Sequence, residues 1–460
     1  MVDDLATTRY KDAQKLFDSF ENFRTKRERW NKIRNRELDP DVGDLYHNVG
    51  LLFKTYRPQH EGNQFTAILD TASITIGARA RSTKAEIKED VQNWEEWLNH
   101  VFPALLSAGS QSPLLLSRSD RVCMGVGALK FDLHPEWMTF QASGTDARDL
   151  LKLTEERKLE IGLPFIVSAP NPLTLAWFTD ELGDAVVVEQ GMRGVNPIAR
   201  IFKLGYKAGE WIDLAPTEAE YSPISSYTDQ VKFTQISTRD EIHYYVENKK
   251  GRWPGAKLLR TYRNPWGRPP YLIIPARLQG GNRNPDDMYR PLIEGSLVMA
   301  EYDNFAETLV LLAGYLTAAP LYDLFLESGG LYIDPVTNLP IEIPLVAGKP
   351  TVKMMPAGAK LMQRTIQMGV DMDKFRARVA ADMERFGFPT GLSGEAPEPR
   401  TPAWALAEKG EHGMIQVNPA INAERNALIE AAQMVGYCIK NSIKEEVPIL
   451  TVIKDAEGAD

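Results

Sequence analysis

Cysteine and histidine are the scarce residues of this chain, and their scarcity closes off several kinds of chemistry. Cys123 and Cys438 are the only two cysteines in 460 residues, far apart and in no metal or redox spacing. They read as buried free thiols in a reducing compartment. The six histidines, at 47, 60, 100, 134, 243 and 412, stand singly. Without an HExxH or HxH pair, zinc or di-metal catalysis has no anchor. Long apolar runs are missing too. The most apolar uncharged stretch, Thr308–Tyr322, stops at 15 residues and contains Pro320, short of the roughly 20 that span a bilayer. The N-terminal MVDDLATTRY is acidic and polar, unlike a signal peptide. The expectation is a soluble, intracellular product with no membrane partner.

Positive charge is in deficit, with 53 Lys and Arg against 62 Asp and Glu and a net charge of −9. Tight nucleic-acid binding needs many cations on phosphate, so that class is disfavoured. Nucleotide loops are absent as well. GVGALK (125–130) keeps two glycines of the dinucleotide fingerprint but no helix pattern opens there, so a tight β-turn is expected. In VAGKP (346–350), Ile343 stands where a phosphate loop needs glycine, and Pro350 replaces its Ser/Thr. GLSGE (391–395) does not centre its serine as a nucleophile elbow does. No repeat or low-complexity tract is found. The expectation is a non-enzyme with no cofactor. A carboxylate-metal DNA-processing enzyme stays open as an alternative, because no spacing rule would expose one.

What is present is ordinary globular material, 43% apolar and 25% charged, with room for two or three lobes. The first hundred residues have helical character. Leu16, Phe20 and Phe23 fall at i, i+4, i+7. A basic patch follows from Arg24 to Arg36, with seven Lys/Arg against Glu28 and the flanking Glu37. It reads as a solvated helix face or, less simply, a nucleic-acid contact. NQFTAILDTASITI (63–76) and EIKEDVQNWEEWLNHVFPALLSAG (86–109) are further amphipathic segments.

From about residue 112 the period becomes two. PLLLSR, GALKFDLH, PFIVSAP, LTLAWFT, DAVVVEQ, IARIFKLGY, VKFTQIS, IHYYVENKK, KLLRTY and PYLIIPAR read as strands. TDELGD and KKGRWPGAK supply turns, and one helix is expected over 147–162. Residues 249–268 hold Lys249, Lys250, Arg252, Lys257, Arg260, Arg263 and Arg268 and no acid. They form either a solvated hairpin or an electropositive patch for an acidic neighbour or DNA.

A long helix is expected from residue 286, capped by Asp286 or Asp287, with Phe305, Leu309, Leu312 and Leu316 stacked. GGLYIDP, LPIEIPLV and PTVKMMP then read as short strands whose prolines suit edges. Exposed edges invite pairing between subunits. A second helix carries Met368, Met372, Phe375, Val379, Met383 and Phe386 as a packing stripe, with Arg364, Lys374, Arg376, Arg378 and Arg385 elsewhere on the cylinder. Gly387 and Pro389 end it. A loop rich in proline and glycine leads to a third helix from Pro402. Leu428, Ala432, Val435 and Ile439 face the core there, and Pro419 with Gly410 and Gly413 predicts a kink.

Four stretches together resemble a known family. They are NQFTAILDTASITIGARAR, RNPWGRPPYLIIPA with its N-x-x-G-x-x-P spacing, DMYRPLIEGSLVMAEYDNFAETLVLLAGYLTAAPLYDL, and MERFGFPTGLSGEAPEPRTPAWALAEKG. In this order they are similar to tailed-bacteriophage portal proteins, the rings that occupy one capsid vertex. The likeness covers most of residues 60–445. It implies an α+β, portal-like fold: a wing over 1–285 (β-rich at 112–282), a first stem helix over 286–318, a clip over 319–362 and a second stem helix over 363–388. A tunnel loop (389–401), a long helix (402–446) and a short C-terminal segment at the start of a crown (447–460) complete it.

The resemblance also implies a function. Twelve subunits would form a ring that conducts double-stranded DNA during packaging and ejection. Thr390, Ser393, Glu395, Glu398, Arg400 and Thr401 of the tunnel loop would face the DNA. Arg364, Lys374 and Arg378 would line the stem channel, while Met368, Met372, Phe375, Val379 and Phe386 pack the stem. Glu327, Asp334, Glu342 and Lys349 of the clip would dock the terminase large subunit and later a head–tail adaptor. The major capsid protein, and a scaffold where one exists, would be further partners. The implied place is the virion, after assembly in the host cytoplasm. Another head–tail connector or minor capsid component is the nearest alternative.

Overall fold

The computed structural model describes residues 2–35, 57–71, 112–133, 165–195, 204–207, 210–213, 230–248, 255–280, 285–300, 322–326, 359–363 and 403–440, with single positions or short groups between them. In chain order the elements are α1 (Val2–Asp18), α2 (Glu21–Arg34), α3 (Arg57–Thr71), α4 (Pro113–Met124), β1 (Val126–Leu133), β2 (Phe165–Ser168), β3 (Leu175–Thr179), β4 (Ala185–Gly194), β5 (Leu204–Lys207) and β6 (Glu210–Asp213). There follow β7 (Gln230–Ser237), β8 (Glu241–Asn248), β9 (Gly255–Arg263), β10 (Tyr271–Pro275), β11 (Arg277–Leu278), α5 (Pro285–Met288), β12 (Tyr289–Arg290), β13 (Tyr322–Leu326), β14 (Ala359–Gln363) and α6 (Ala403–Cys438). Helices and antiparallel sheets together make the fold α+β, as the sequence pattern predicts.

The chain divides into two compact units. One comprises Met1–Asn31, Gly62–Leu292 and Gly391–Asp460; the other comprises Lys32–Glu61 and Ile293–Thr390. In the first unit, β10, β1 and β2 form a three-stranded antiparallel sheet, with Lys130 opposite both Tyr271 and Ser168. A second antiparallel sheet has the order β3-β4-β7-β8-β9. The hairpin β5–β6 lies between β4 and β7 in sequence.

Period-two alternation explains the burial in these sheets. Val231 and Phe233 of β7 join Val246, Leu259 and Tyr262 in a cluster with Ile198 and Phe202. Ile236, one pleat out of phase, points the other way and meets Ala13 of α1 with Val188 and Tyr245. Both faces of this sheet are therefore covered. On the three-stranded sheet, Leu129, Phe131, Leu272 and Ile274 pack with Leu428, Ala431, Met434 and Val435 of α6. The apolar face expected from Leu428, Ala432, Val435 and Ile439 is the one buried here, Ile439 partly.

Several elements differ from the sequence reading. PLLLSR is the start of helix α4, not a strand. Ser112 accepts the Leu115 N–H at its N-terminus, Pro113 takes the first turn, and Gly125 closes it at φ 83° with its N–H on the Arg121 carbonyl. Leu114 is 3% exposed, whereas Leu115 and Leu116 are 41% and 43% exposed. Three consecutive leucines mask the helical period. The GVGALK stretch is thus a helix end running into β1. In IARIFKLGY, Ile198 and Phe202 are helical, and among the described residues the strand is Leu204–Lys207.

The helix expected from 286 begins at 294 instead. Tyr289 and Arg290 pair with β11, and Pro291 drives the residue before it out of the helical region. The Leu16–Phe20–Phe23 stripe is split between α1 and α2, with Ser19 and Phe20 bonded back to Lys15 and Phe17. Helix α6 runs unbroken through Gly410, Gly413 and Pro419. The helix expected at 147–162 and the strands GGLYIDP, LPIEIPLV and PTVKMMP lie outside the described residues. In the second unit, β13 and β14 pair in register from Tyr322↔Gln363 to Leu326↔Ala359.

Candidate functional site

Most residues that the resemblance singles out lie outside the described residues: Thr390, Ser393, Glu395, Glu398, Arg400 and Thr401 of the tunnel loop; Arg364, Met368, Met372 and Phe386 of the stem; and Glu327, Asp334, Glu342 and Lys349 of the clip. Four stem residues are described. Lys374, Phe375, Arg378 and Val379 are helical; Lys374 and Arg378 are exposed, Phe375 is half-buried and Val379 is buried. Ala377 and Ala381 are exposed beside the two cations. Positions 374, 377, 378 and 381 fall at i, i+3, i+4, i+7, so they share one helix face. This face carries two positive charges separated by methyl groups and turns away from the apolar side.

A surface of this kind can do limited chemistry. Lysine and arginine attract phosphate over several ångströms, and alanine leaves room for a polyanion to approach. Two cations form no catalytic constellation. Among the described residues, no group of three His, Cys, Asp or Glu is placed to hold a metal ion. No helix among them is long and apolar enough to cross a membrane.

The strongest electrostatics in the first unit belong to its framework. On α4, Arg118 donates from Nε and Nη2 to Oε1 of Glu424 on α6, at 3.0 and 2.7 Å. Arg121 donates to Glu424 Oε2 and to the Ala420 carbonyl. All three side chains are buried. Burial pulls the Arg121 guanidinium below its ordinary value, against the opposing pull of Glu424. The Ala420 contact lies one residue past Pro419, where the helix loses an N–H donor. The helix continues through Pro419, a residue type that costs about 3 kcal/mol in a helix interior, and the Glu424 clamp and the packing of its following turns offset that cost.

A second buried network links the two sheets. Lys130 of β1 donates to Glu189 of β4 at 2.8 Å and to Gln235 of β7 at 2.7 Å. Tyr271 of β10 and Arg193 of β4 also donate to Glu189, at 2.7 and 2.6 Å. Burial alone would raise the Glu189 carboxyl; Lys130, Arg193 and Tyr271 overrule it and hold it at about 2.

The basic patch of α2 also has an internal role. Arg27 is buried and donates to the carbonyls of Met124, Asp286 and Tyr289 at 3.2, 2.8 and 2.7 Å. Its guanidinium also lies 4.2 Å from the Phe23 ring centre. Arg24 is buried as well, paired with Glu21 at 2.6 Å and donating to the Phe17 carbonyl. The patch is therefore not a uniformly solvated face. In the 249–268 segment, Arg268 is paired with Glu430 on α6 at 3.0 Å, while Lys257 and Arg263 are exposed on β9. In the second unit, the Ser296 hydroxyl donates to Glu61, both buried.

No family model matches this chain, and no curated protein does. Among solved structures, it is similar to a chain described as "Neck of empty GTA particle computed with C6 symmetry", at 12% identity and a TM-score of 0.35, over 82% of this chain and 78% of that one. No assignment rests on a likeness at that level.

Proposed function

We propose that this chain is the subunit of a portal ring at one vertex of a phage-type capsid. The ring conducts double-stranded DNA and docks the terminase large subunit and then a head–tail adaptor at its clip. The four ordered stretches of likeness motivate this reading. The geometry that supports it best is the two-sided helix at 374–382, with Lys374 and Arg378 exposed and Val379 buried. In a ring, that cationic face lines the stem channel and the apolar face packs inside the subunit wall.

A conduit must guide DNA without holding it. Each neutralised phosphate steepens the salt dependence of binding, so a wall rich in cations would act as a tether. Over 363–388 the cations Arg364, Lys374, Arg376, Arg378 and Arg385 are interleaved with Asp371, Asp373, Asp382 and Glu384, and in the loop that follows Glu395 and Glu398 outweigh Arg400, which gives weak and easily exchanged contacts. Proline and glycine keep that loop out of strand and helix, so its polar groups stay at the channel's narrowest ring.

The deciding measurement is the mass of the purified protein in solution, with electron micrographs of the same sample. Rings with a central hole are expected, without magnesium-dependent DNA cleavage. A monomer that cuts DNA would move the assignment to a carboxylate-metal enzyme. Shortening Ser393–Pro399 should leave rings intact and impair DNA packaging or retention. Val379→Asp buries an unpaired carboxylate and should abolish folding or assembly; soluble, correctly assembled protein would sink the stem assignment.

A further inference from the structure

The five-stranded sheet has two chemically opposite ends. At one end, an open cleft of about 630 Å3 separates α1 from the sheet, floored by Ala13, Leu16, Val186 and Ile236. Phe178 on its wall is 56% exposed, and Leu182 at the tip of the β3–β4 turn is 90% exposed. Asp12, Asp240 and Glu241 line the cleft, and Asp180, Glu181 and Asp184 sit on that turn. The neighbouring cations are themselves paired: Arg9 with Glu241, Lys15 with Asp12 and Arg239 with Asp184. The result is an acidic mouth with exposed apolar residues, which suits a basic segment carrying one apolar anchor.

Such a segment belongs to this chain. The connection between β8 and β9, residues 249–254, reads KKGRWP, with three cations, no acid and Trp253, and Lys257 follows on β9. β8 begins at Glu241 beside the cleft and ends at Asn248, which pairs with Gly255. The eight residues of β8 put its end at Asn248 about 23 Å from the cleft. Residues 249–254 are tethered at both ends, so their middle reaches only about 12 Å from the strand ends. A copy cannot fill its own cleft with this segment.

We propose that the cleft receives the 249–254 connection of a second copy of this chain, with Trp253 as the anchor between Phe178 and Leu182. One surface meets a different surface, so the contact is head-to-tail and repeats from copy to copy. It rests on the ring reading only in supplying one of the ring's interfaces.

The test measures self-association of the full chain by mass photometry. Two double variants, Asp240→Lys with Leu182→Ser at exposed positions beside the cleft, and Lys250→Glu with Trp253→Ala, are each expected to raise the assembly midpoint about tenfold or more with unchanged circular dichroism. Asp240→Lys combined with Lys250→Glu should recover part of that loss. If the wild type assembles and both variants assemble equally well, the docking proposal is overturned while the ring reading survives. If the wild type is monomeric, a fluorescent peptide of residues 247–257 decides. Binding that Asp240→Lys with Leu182→Ser weakens about tenfold would uphold the docking and count against the ring; no binding would overturn both.

Discussion

Two junctions in the first unit are built from buried charge, and they are built differently. Where α4 meets α6, two arginines surround one carboxylate and every group is sealed from water. Where the sheets meet, Glu189 is shared by Lys130, Tyr271 and Arg193, and the Arg193 side chain is 43% exposed. The helix joint sets two buried cations around Glu424, with the Ala420 carbonyl accepting from Arg121. The Ser117 hydroxyl and the Arg121 Nε there have no hydrogen-bond partner among the described residues. The sheet joint also sets two cations around one carboxylate, but Asp132 lies 3.3 Å from Lys130 as a second counter-charge, and half-exposed Arg193 gives an outlet to solvent. Desolvated charges are costly to strand, so the first joint should fail abruptly and the second by degrees.

The largest effect is expected from Glu424→Ala, which takes from two buried guanidiniums the carboxylate they share. A loss of about 3–5 kcal/mol should appear in urea unfolding, or as protein that does not fold. A change under about 1 kcal/mol would show that water reaches the joint. Gly127→Ala should come next. A Cβ at that position falls inside the contact envelope of the Ser117 carbonyl and lies 2.8 Å from Arg121 Cγ, so α4 must lift off β1 at about 2–3 kcal/mol. An additive double variant with Glu424→Ala would separate packing from charge at this joint.

Glu189→Gln should cost about 2–3 kcal/mol near pH 7, and its pH dependence carries the finer test. The carboxyl's folded value is lowered from 4.5 to about 2. Its stabilisation is therefore fully present above about pH 4.5 and is lost as pH falls through about 2. The urea midpoint difference between wild type and variant should be flat from pH 7 to 5 and shrink steadily below that. A difference already shrinking near pH 6 would point to another group. The smallest effect is expected from Arg268→Ala. Its bond to Glu430 also ties a turn to α6, but both partners are about half exposed, so about 0.5 kcal/mol is at stake and salt should erase it.

The parts of the fold that were legible in the sequence are those where one face is apolar at a clear period. Strands β1, β3, β4, β7, β8 and β10 follow alternation in GALKFDLH, LTLAWFT, DAVVVEQ, VKFTQIS, IHYYVENKK and PYLIIPAR, and α6 follows the spacing of Leu428, Ala432 and Val435. Helix α4 was not legible because Leu114–Leu116 repeat one residue type and its inner face includes Ser117, Arg118 and Arg121. Arginine in a core stripe reads as solvent-facing until a carboxylate 300 residues away is placed against it. Arg27 was hidden for the same reason, since its partners are backbone carbonyls that leave no mark on the sequence. The i, i+3, i+4 recurrence of Leu114, Ser117, Arg118, Arg121 and Val122 was the available signal. Of the candidate site, the opposition of Lys374 and Arg378 to Val379 was readable from periodicity; the loop and clip assignments came from resemblance.

The short pairing of β13 with β14 has a consequence of another kind. Five register pairs bring Leu326 and Ala359 side by side, so the 32 residues between them, 327–358, leave and return at one point. Whatever is written into that interval enters and exits through the same doorway, and the chain outside it need not change length or direction. A lineage could exchange this cassette wholesale, adopting a new set of contacts at its tip while inheriting the rest of the molecule unaltered.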